Sequence, residues 1–248
     1  MTRPRPAAGI PRVMGHRGAA GHAPENTLAG IRKAAALGAR WVEFDVKLTR
    51  DAIPVLLHDP KVNRTTDARG VLSRLDLAQT RGFDAGRWFA PEFAGERIPT
   101  LAEAIALAQS LGLGANIEIK ATRGRHGETA AKAVPMIAEA WSGNLENVLV
   151  SSFSAESLAV ARDLAPQVRR GLLMRRRLPG WRDRAKRLDC FSVHCKESML
   201  TRRVTADMRS HPFHLFCFTV NDPPRARELY DWGVESIITD FPDRILAI

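Results

Sequence analysis

The chain has 248 residues, 45% of them apolar and 26% charged, enough for one large domain with a full hydrophobic core. No stretch approaches the roughly 20 apolar residues of a membrane helix, and Met1-Thr2-Arg3-Pro4-Arg5-Pro6 lacks the apolar centre of a signal peptide, so a cytoplasmic protein without stable membrane insertion is expected. The net charge of +10 is concentrated between residues 169 and 187, but only Trp181 interleaves with those cations and no nucleic-acid motif is present, so the segment reads first as solvated surface, then as a means of steering anionic substrates, and least as a nucleic-acid contact.

Residues 13–16 read as a first strand, ended by glycines at 15, 18 and 21. Residues 23–27 open a helix, with Leu28, Ile31, Ala34, Ala35 and Leu37 at helical spacing and Gly38 as its stop. Residues 40–48 form the next strand, and the apolar run 53–58 is tied to it by Arg50-Asp51-Ala52 alone. So short a link admits an antiparallel hairpin and no crossover helix. The hairpin rises beyond the strand and returns His58 roughly opposite Asp45. Residues 59–100 then break the pattern with glycines, prolines and the apolar weight of Phe83, Trp88, Phe89 and Phe93. That is too long for a plain loop and predicts an inserted subdomain that shapes or covers the substrate site.

Further strands are expected at 115–119, 148–151, 171–174, 190–193, 215–220 and 236–239, with helical stretches near 101–111, 129–142, 154–164, 180–187, 201–210 and 222–232. With the hairpin run set aside, eight strands alternate with helices, which implies a parallel sheet closed into a (β/α)8 barrel. An open doubly wound sheet is the competing architecture. Cys190, Cys195 and Cys217 contain no CxxC pair and are expected as buried reduced thiols, not zinc ligands.

The chemistry-bearing residues fall at the ends of these strands. Glu43 and Asp45 are two apart on a strand and share a face, amid Trp41, Val42, Phe44 and Val46. Buried like charges demand a metal, a cation or protonation, and oxygen donors favour a hard divalent ion, Mg²⁺ or Ca²⁺, with Mn²⁺ also compatible. Glu118 and Lys120 repeat the spacing at the end of Asn116-Ile117-Glu118-Ile119-Lys120; taken alone they read as an ordinary ion pair, but beside Glu43 and Asp45 at one barrel end Glu118 completes the carboxylate set while Lys120 offsets its charge and can meet a phosphate oxygen. His16 ends the first strand and His58 returns from the hairpin, so one imidazole can accept a proton while the other donates one. Arg17 adds a permanent cation for a phosphate oxygen. His126, His211 and His214 read as structural, whereas His22 and His194 are left open as residues near the barrel mouth.

In this order the residues resemble the glycerophosphodiester phosphodiesterase family, in its bacterial cytoplasmic form, nearly end to end. The similarity runs through His16-Arg17-Gly18, Pro24-Glu25-Asn26-Thr27, Glu43-Phe44-Asp45-Val46, Thr49-Arg50-Asp51, Pro54-Val55 with His58-Asp59, and Arg64-Thr65-Thr66. It continues through Ile98-Pro99-Thr100-Leu101, Glu118-Ile119-Lys120, Ser151-Ser152-Phe153, Thr219-Val220-Asn221 and Thr239-Asp240-Phe241-Pro242. The resemblance implies a TIM barrel with an insertion after the hairpin. It implies metal ligation by Glu43, Asp45 and Glu118, a catalytic pair His16 and His58, and substrate contacts from Arg17 and Lys120. Asn26 lies in a matched element and is expected to order the site. Two departures are Phe218 where the family often has tryptophan, and Ala52 where it often has glycine.

The expected reaction is metal-assisted cleavage of a small glycerophosphodiester into glycerol 3-phosphate and an alcohol. The nucleophile is either water or the substrate's own glycerol 2-hydroxyl, the latter giving a cyclic phosphate that water then opens. The nearest rival is a lysophospholipase D-like hydrolase of single-chain lipids, which needs an apolar groove lined by the aromatic insertion. A phosphomonoesterase and a non-catalytic phosphate- or nucleic-acid-binding module stand further off. A monomer or a homodimer is expected, with no nucleic-acid partner.

Overall fold

In the computed structural model, residues 9–248 are described, and the N-terminal stretch Met1–Pro6 read above as no signal peptide lies outside them. The strands are β1 (Val13–Gly15), β2 (Trp41–Leu48), β3 (Pro54–Leu56), β4 (Gly114–Ile119), β5 (Val148–Ser152), β6 (Arg169–Met174), β7 (Ser192–Lys196), β8 (His214–Phe218) and β9 (Ser236–Thr239). Neighbours run β1-β9-β8-β7-β6-β5-β4-β2, and β1 also pairs with β2, so the sheet closes on itself. The strands around the ring are parallel, and of these strands β3 alone pairs antiparallel, with β2. The result is the eight-stranded (β/α)8 barrel expected from the alternation of strands and helices, not an open sheet.

Strand parity divides the core into two layers. Val42, Phe44 and Val46 of β2, with Ala115, Ile117 and Ile119 of β4, pack outward against the helices Leu28–Ala36, Leu101–Ser110 and His126–Ala140. Each large side chain in that layer contributes about 1.5–3 kcal/mol through burial. The alternate residues point inward. Ile10, Met14, Trp41, Leu149, Phe216 and Ile238 form an apolar plug, and Glu43, Asp45, Asn116, Glu118 and Ser151 follow it along the same strand faces toward the C-terminal ends. Carboxylates therefore enter an apolar strand only on its inner face and only above the plug.

Helix starts follow local chemistry. Thr27, Thr100, Ser154, Thr201 and Asp222 each accept a backbone N–H of the first turn, the capping that these residue types favour. The strand predicted at 190–193 begins at Ser192 and runs on to Lys196, so Cys190 precedes it. All three cysteines are buried free thiols.

The hairpin is present, with Val46 opposite Leu56 and Leu48 opposite Pro54. Leu57 donates its N–H to the Asp45 carbonyl, so Leu57 faces Asp45 and His58 lies one residue further along than expected. The turn closes from Thr49 to Ile53, and counting from that pair gives the observed register. Ala52 sits at φ 60°, a left-handed conformation that costs an L-residue with a Cβ about 1–2 kcal/mol. Ala52→Gly is expected to stabilise the protein by up to about 1 kcal/mol after the entropic cost of glycine, read as a higher denaturant midpoint at constant slope.

The insertion, residues 59–100, is built from short helical turns (Val62–Arg64, Leu72–Arg74, Leu77–Thr80, Pro91–Phe93). Val62, Leu72, Ala85 and Ile98 form a small core with Val55 and Leu57 of the hairpin, so the insertion rests on the outer flank of the hairpin.

The basic segment does not act as one surface. Arg170 is 2% exposed. Its guanidinium donates to the carbonyls of Ala165, Pro166, Val168, Leu188 and Asp189 and to the Asp189 carboxylate, tying β6 to the loops at its N-terminal end. Arg177 and Arg182 both pair with Asp207. Arg175 alone of the run lines the cavity at the barrel mouth.

Candidate active site

The register of β2 against β4 sets Asp45 beside Glu118 and Glu43 beside Asn116. Glu43, Asp45 and Glu118 are all buried, and one oxygen from each can be chosen so that the three lie within 4.8 Å of one another. Burial, then the neighbouring Asp45 and Glu118 charges, push the Glu43 carboxyl well above the usual carboxylate range. Burial and Asp45 likewise push Glu118 up to about 7, against the opposing pull of Lys120. Burial acts on Asp45 in the same sense but is outweighed by Lys120, Arg17 and His58, which hold it low. Three carboxylates in so small a volume lack the positive charge to be ionised together, which is the electrostatic condition of a cation site. The donor set is all oxygen, suited to a hard divalent ion. Directly below, a cavity of about 20 Å³ is bordered by Glu43, Glu118, Asn116 and Ser151, and both side-chain polar atoms of Asn116 lack a protein partner there. The residues present fit such an ion.

Asn26 serves Asp45. It stands at φ 56° in the left-handed region, donates Nδ2–H to Asp45 Oδ2 at 2.8 Å, and accepts the Asp45 backbone N–H at 3.0 Å through Oδ1. Arg17, also left-handed at φ 50°, donates its backbone N–H to Glu43 at 3.0 Å. Its guanidinium reaches Asp45 at 3.3 Å and Glu25 at 2.8 Å. Non-glycine residues held at positive φ beside functional groups mark stored strain that the surrounding contacts must offset. Lys120 Nζ lies 2.9 Å from Glu118 and 3.2 Å from Asp45.

The two histidines meet across this group. Asp240 binds His16 Nδ1 at 2.6 Å, and Asp59 binds His58 Nδ1 at 2.6 Å. Each imidazole therefore has Nδ1 anchored by a carboxylate, an arrangement that fixes tautomer and ring orientation, and both residues line the cavity at the barrel mouth. His16 Nε2 lies 3.9 Å from Glu43. Burial lowers the His58 pKa, which favours its neutral form. The anchors are themselves held. Asp240 accepts Asn221 Nδ2–H at 2.6 Å; Asp59 accepts Arg64 Nε–H at 2.7 Å and is pushed down to about 2, chiefly by that bond. Arg64 then forks onto Glu25 at 2.7 and 2.8 Å, and Glu25 returns to Arg17. Asp59, Arg64 and Glu25 thus form a bonded chain from the His58 imidazole to Arg17, and Asp240 and Asn221 form a second one from the His16 imidazole; their motifs stand out in the sequence, but these contacts do not.

The cavity above has a volume of about 310 Å³ and is lined by His16, Arg17, His58, Glu118 and Lys120 on one side and by Phe153, Arg175, Lys196 and Phe218 among others on the rest. None of Phe83, Trp88, Phe89 or Phe93 lines it; the insertion reaches the site through Arg64. His194 is fully buried, its Nε2 bonded to Ser192 Oγ, and burial drops its pKa to about 3, so it belongs to the barrel interior. His22 pairs with Asp243 at 2.8 Å and is not among the cavity-lining residues.

The glycerophosphoryl diester phosphodiesterase family matches residues 16–244, from the first histidine to beyond the Asp240 that anchors it. The chain belongs to that family. A glycerophosphodiester phosphodiesterase of Caldanaerobacter subterraneus subsp. tengcongensis is 34% identical over 236 residues, covering 95% of this chain and 96% of that one. Another from Bacillus altitudinis is 30% identical over 246 residues, covering 96% and 97%. Among solved structures, a phosphodiesterase of Oleispira antarctica in complex with its product sn-glycerol-3-phosphate superposes with a TM-score of 0.93 at 37% identity, covering 97% of both chains.

Proposed function

We propose that this chain is a metal-dependent phosphodiesterase that hydrolyses small glycerophosphodiesters to glycerol 3-phosphate and an alcohol, with His16 and His58 as its general acid/base pair. The observation that carries the reading is the convergence of two carboxylate-anchored imidazoles on three buried carboxylates, flanked by Arg17 and Lys120. Glu43, Asp45 and Glu118 would hold a divalent ion, Mg²⁺, Ca²⁺ or Mn²⁺. When bound, it supplies charge neutralisation for a phosphoryl oxygen as the phosphorus gains a fifth substituent. Arg17 and Lys120 hold the other non-bridging oxygen. One imidazole takes the proton of the attacking hydroxyl at Nε2, and the other delivers a proton to the departing alkoxide. With the glycerol 2-hydroxyl as nucleophile, attack is intramolecular and gains effective molarity, and the same pair then serves water as it opens the cyclic phosphate.

A cavity of about 310 Å³ is at the low end for ligand sites. It supports a diester with a small alcohol over a single-chain lipid, whose apolar groove the insertion aromatics do not supply. No helix among the described residues is long and apolar enough to cross a membrane. Three buried free thiols accord with a reducing cytoplasm.

The test is release of glycerol 3-phosphate from glycerophosphoglycerol and glycerophosphoethanolamine, after chelation and again with Mg²⁺, Ca²⁺ or Mn²⁺ restored. Chelation is expected to abolish release, restoration to return it, and Glu43→Gln to lose it with every metal. Release unaffected by chelation would remove the ion from the mechanism. A folded protein releasing nothing from either diester would leave single-chain phospholipids as the substrates to try.

A further inference from the structure

The residues proposed for catalysis occupy one arc of the cavity, at the ends of β1, β2 and β4. Across the ring, at the ends of β6 and β7, stand Arg175 and Lys196. Met174 pairs with Cys195 in register, so the next residues, Arg175 and Lys196, are neighbours on the rim, and both line the cavity. The other charges at this mouth are engaged. Arg17 faces Glu25 and Asp45, and Lys120 faces Glu118 and Asp45. Glu197 is held by Arg225 at 2.7 Å. Arg175 has its guanidinium 4.7 Å from the centroid of the Phe153 ring, and Phe153 is braced edge-on by Phe218. Neither Arg175 nor Lys196 has a carboxylate partner among the described residues. The phosphodiester's own charge is already served by Arg17 and Lys120, so two further cations aimed at the same small cavity lack an anion to meet.

We propose that Arg175 and Lys196 are specificity-determining residues that select diesters whose alcohol group carries a negative charge of its own, a phosphate or carboxylate, over those carrying a quaternary ammonium. This rests on the diesterase reading above. An anionic substituent on the leaving alcohol meets two cations at the rim, whereas a choline group is repelled by both, so attraction and rejection add in the ratio of rates. Arg175 and Lys196 are exposed, which keeps each contribution small and salt-sensitive; together they amount to about tenfold in that ratio.

The experiment measures kcat/KM at one saturating metal concentration for three diesters: glycerophosphoinositol 4-phosphate (anionic alcohol), glycerophosphoethanol (uncharged) and glycerophosphocholine. The wild-type protein is expected to prefer the anionic diester to the choline diester by about tenfold or more at low ionic strength, with the ratio shrinking as salt rises. The Arg175→Gln, Lys196→Gln double variant brings the ratio near one, and the conservative Arg175→Lys, Lys196→Arg pair retains it. Turnover of the uncharged diester with no preference between the charged ones, or a ratio unmoved in the Gln variant, overturns the proposal and leaves the diesterase reading in place. Turnover of none of the three overturns that reading and this inference together.

Discussion

Replacing either His16 or His58 by alanine is expected to lower kcat by about a thousandfold, within the range for loss of a positioned general acid or base. Each imidazole is bonded through Nδ1 to an aspartate at 2.6 Å, so the proposed proton transfer falls to Nε2, and among the described residues no third imidazole lines the cavity to replace it. The double variant should be little worse than either single one, because two groups acting in one proton relay are lost together. Asp59→Ala and Asp240→Ala leave the imidazoles in place but free to rotate, and a drop of about 10- to 100-fold is expected. A diester of glycerol phosphate with nitrophenol, whose leaving group needs no proton, separates the roles: the variant lacking the acid regains rate on it, and the variant lacking the base does not. Wild-type kcat in His58→Ala would remove His58 from proton transfer altogether.

The largest stability effect is expected at Arg170, far from the chemistry. Its guanidinium is almost wholly enclosed and donates to five backbone carbonyls and the Asp189 carboxylate. Arg170→Met keeps much of the volume but takes the guanidinium donor from the enclosed carbonyls among these acceptors, a loss of about 3 kcal/mol. Arg176→Ala, at an exposed position of the same run, should move stability by no more than about 0.5 kcal/mol. Denaturant midpoints at unchanged slope measure both. Equal small shifts would mean that the Arg170 bonds are replaced by water at little cost.

The alternation of apolar runs with capped helices is enough to specify the barrel, because short-range periodicity determines which residues face inward. Glu43, Asp45 and Glu118 are legible in sequence for the same reason: a carboxylate on the inner face of an apolar strand is too costly to keep unless a cation or a proton meets it. Arg170 looks like part of a surface run because adjacency in sequence hides position along a strand, and β6 carries Arg170 near one end of the barrel while Arg175 follows the other. The role of Asp240 is invisible in sequence because it lies 224 residues from His16 and becomes its neighbour only when β9 docks on β1. The aromatics of the insertion suggest a cover over the site, but turn-formers fix no direction, and the apolar face that the hairpin offers at Val55 and Leu57 draws the insertion's core to the flank.

The closure of β9 onto β1 also imposes an order in time. Synthesis runs from the N-terminus, so the three carboxylates, all before residue 120, emerge ahead of strands β5 to β9. Asp240, which holds His16 Nδ1, follows Glu118 by 122 residues. A growing polypeptide thus carries all three acidic residues long before it carries the anchor of His16, so the acidic cluster precedes the held imidazole in synthesis.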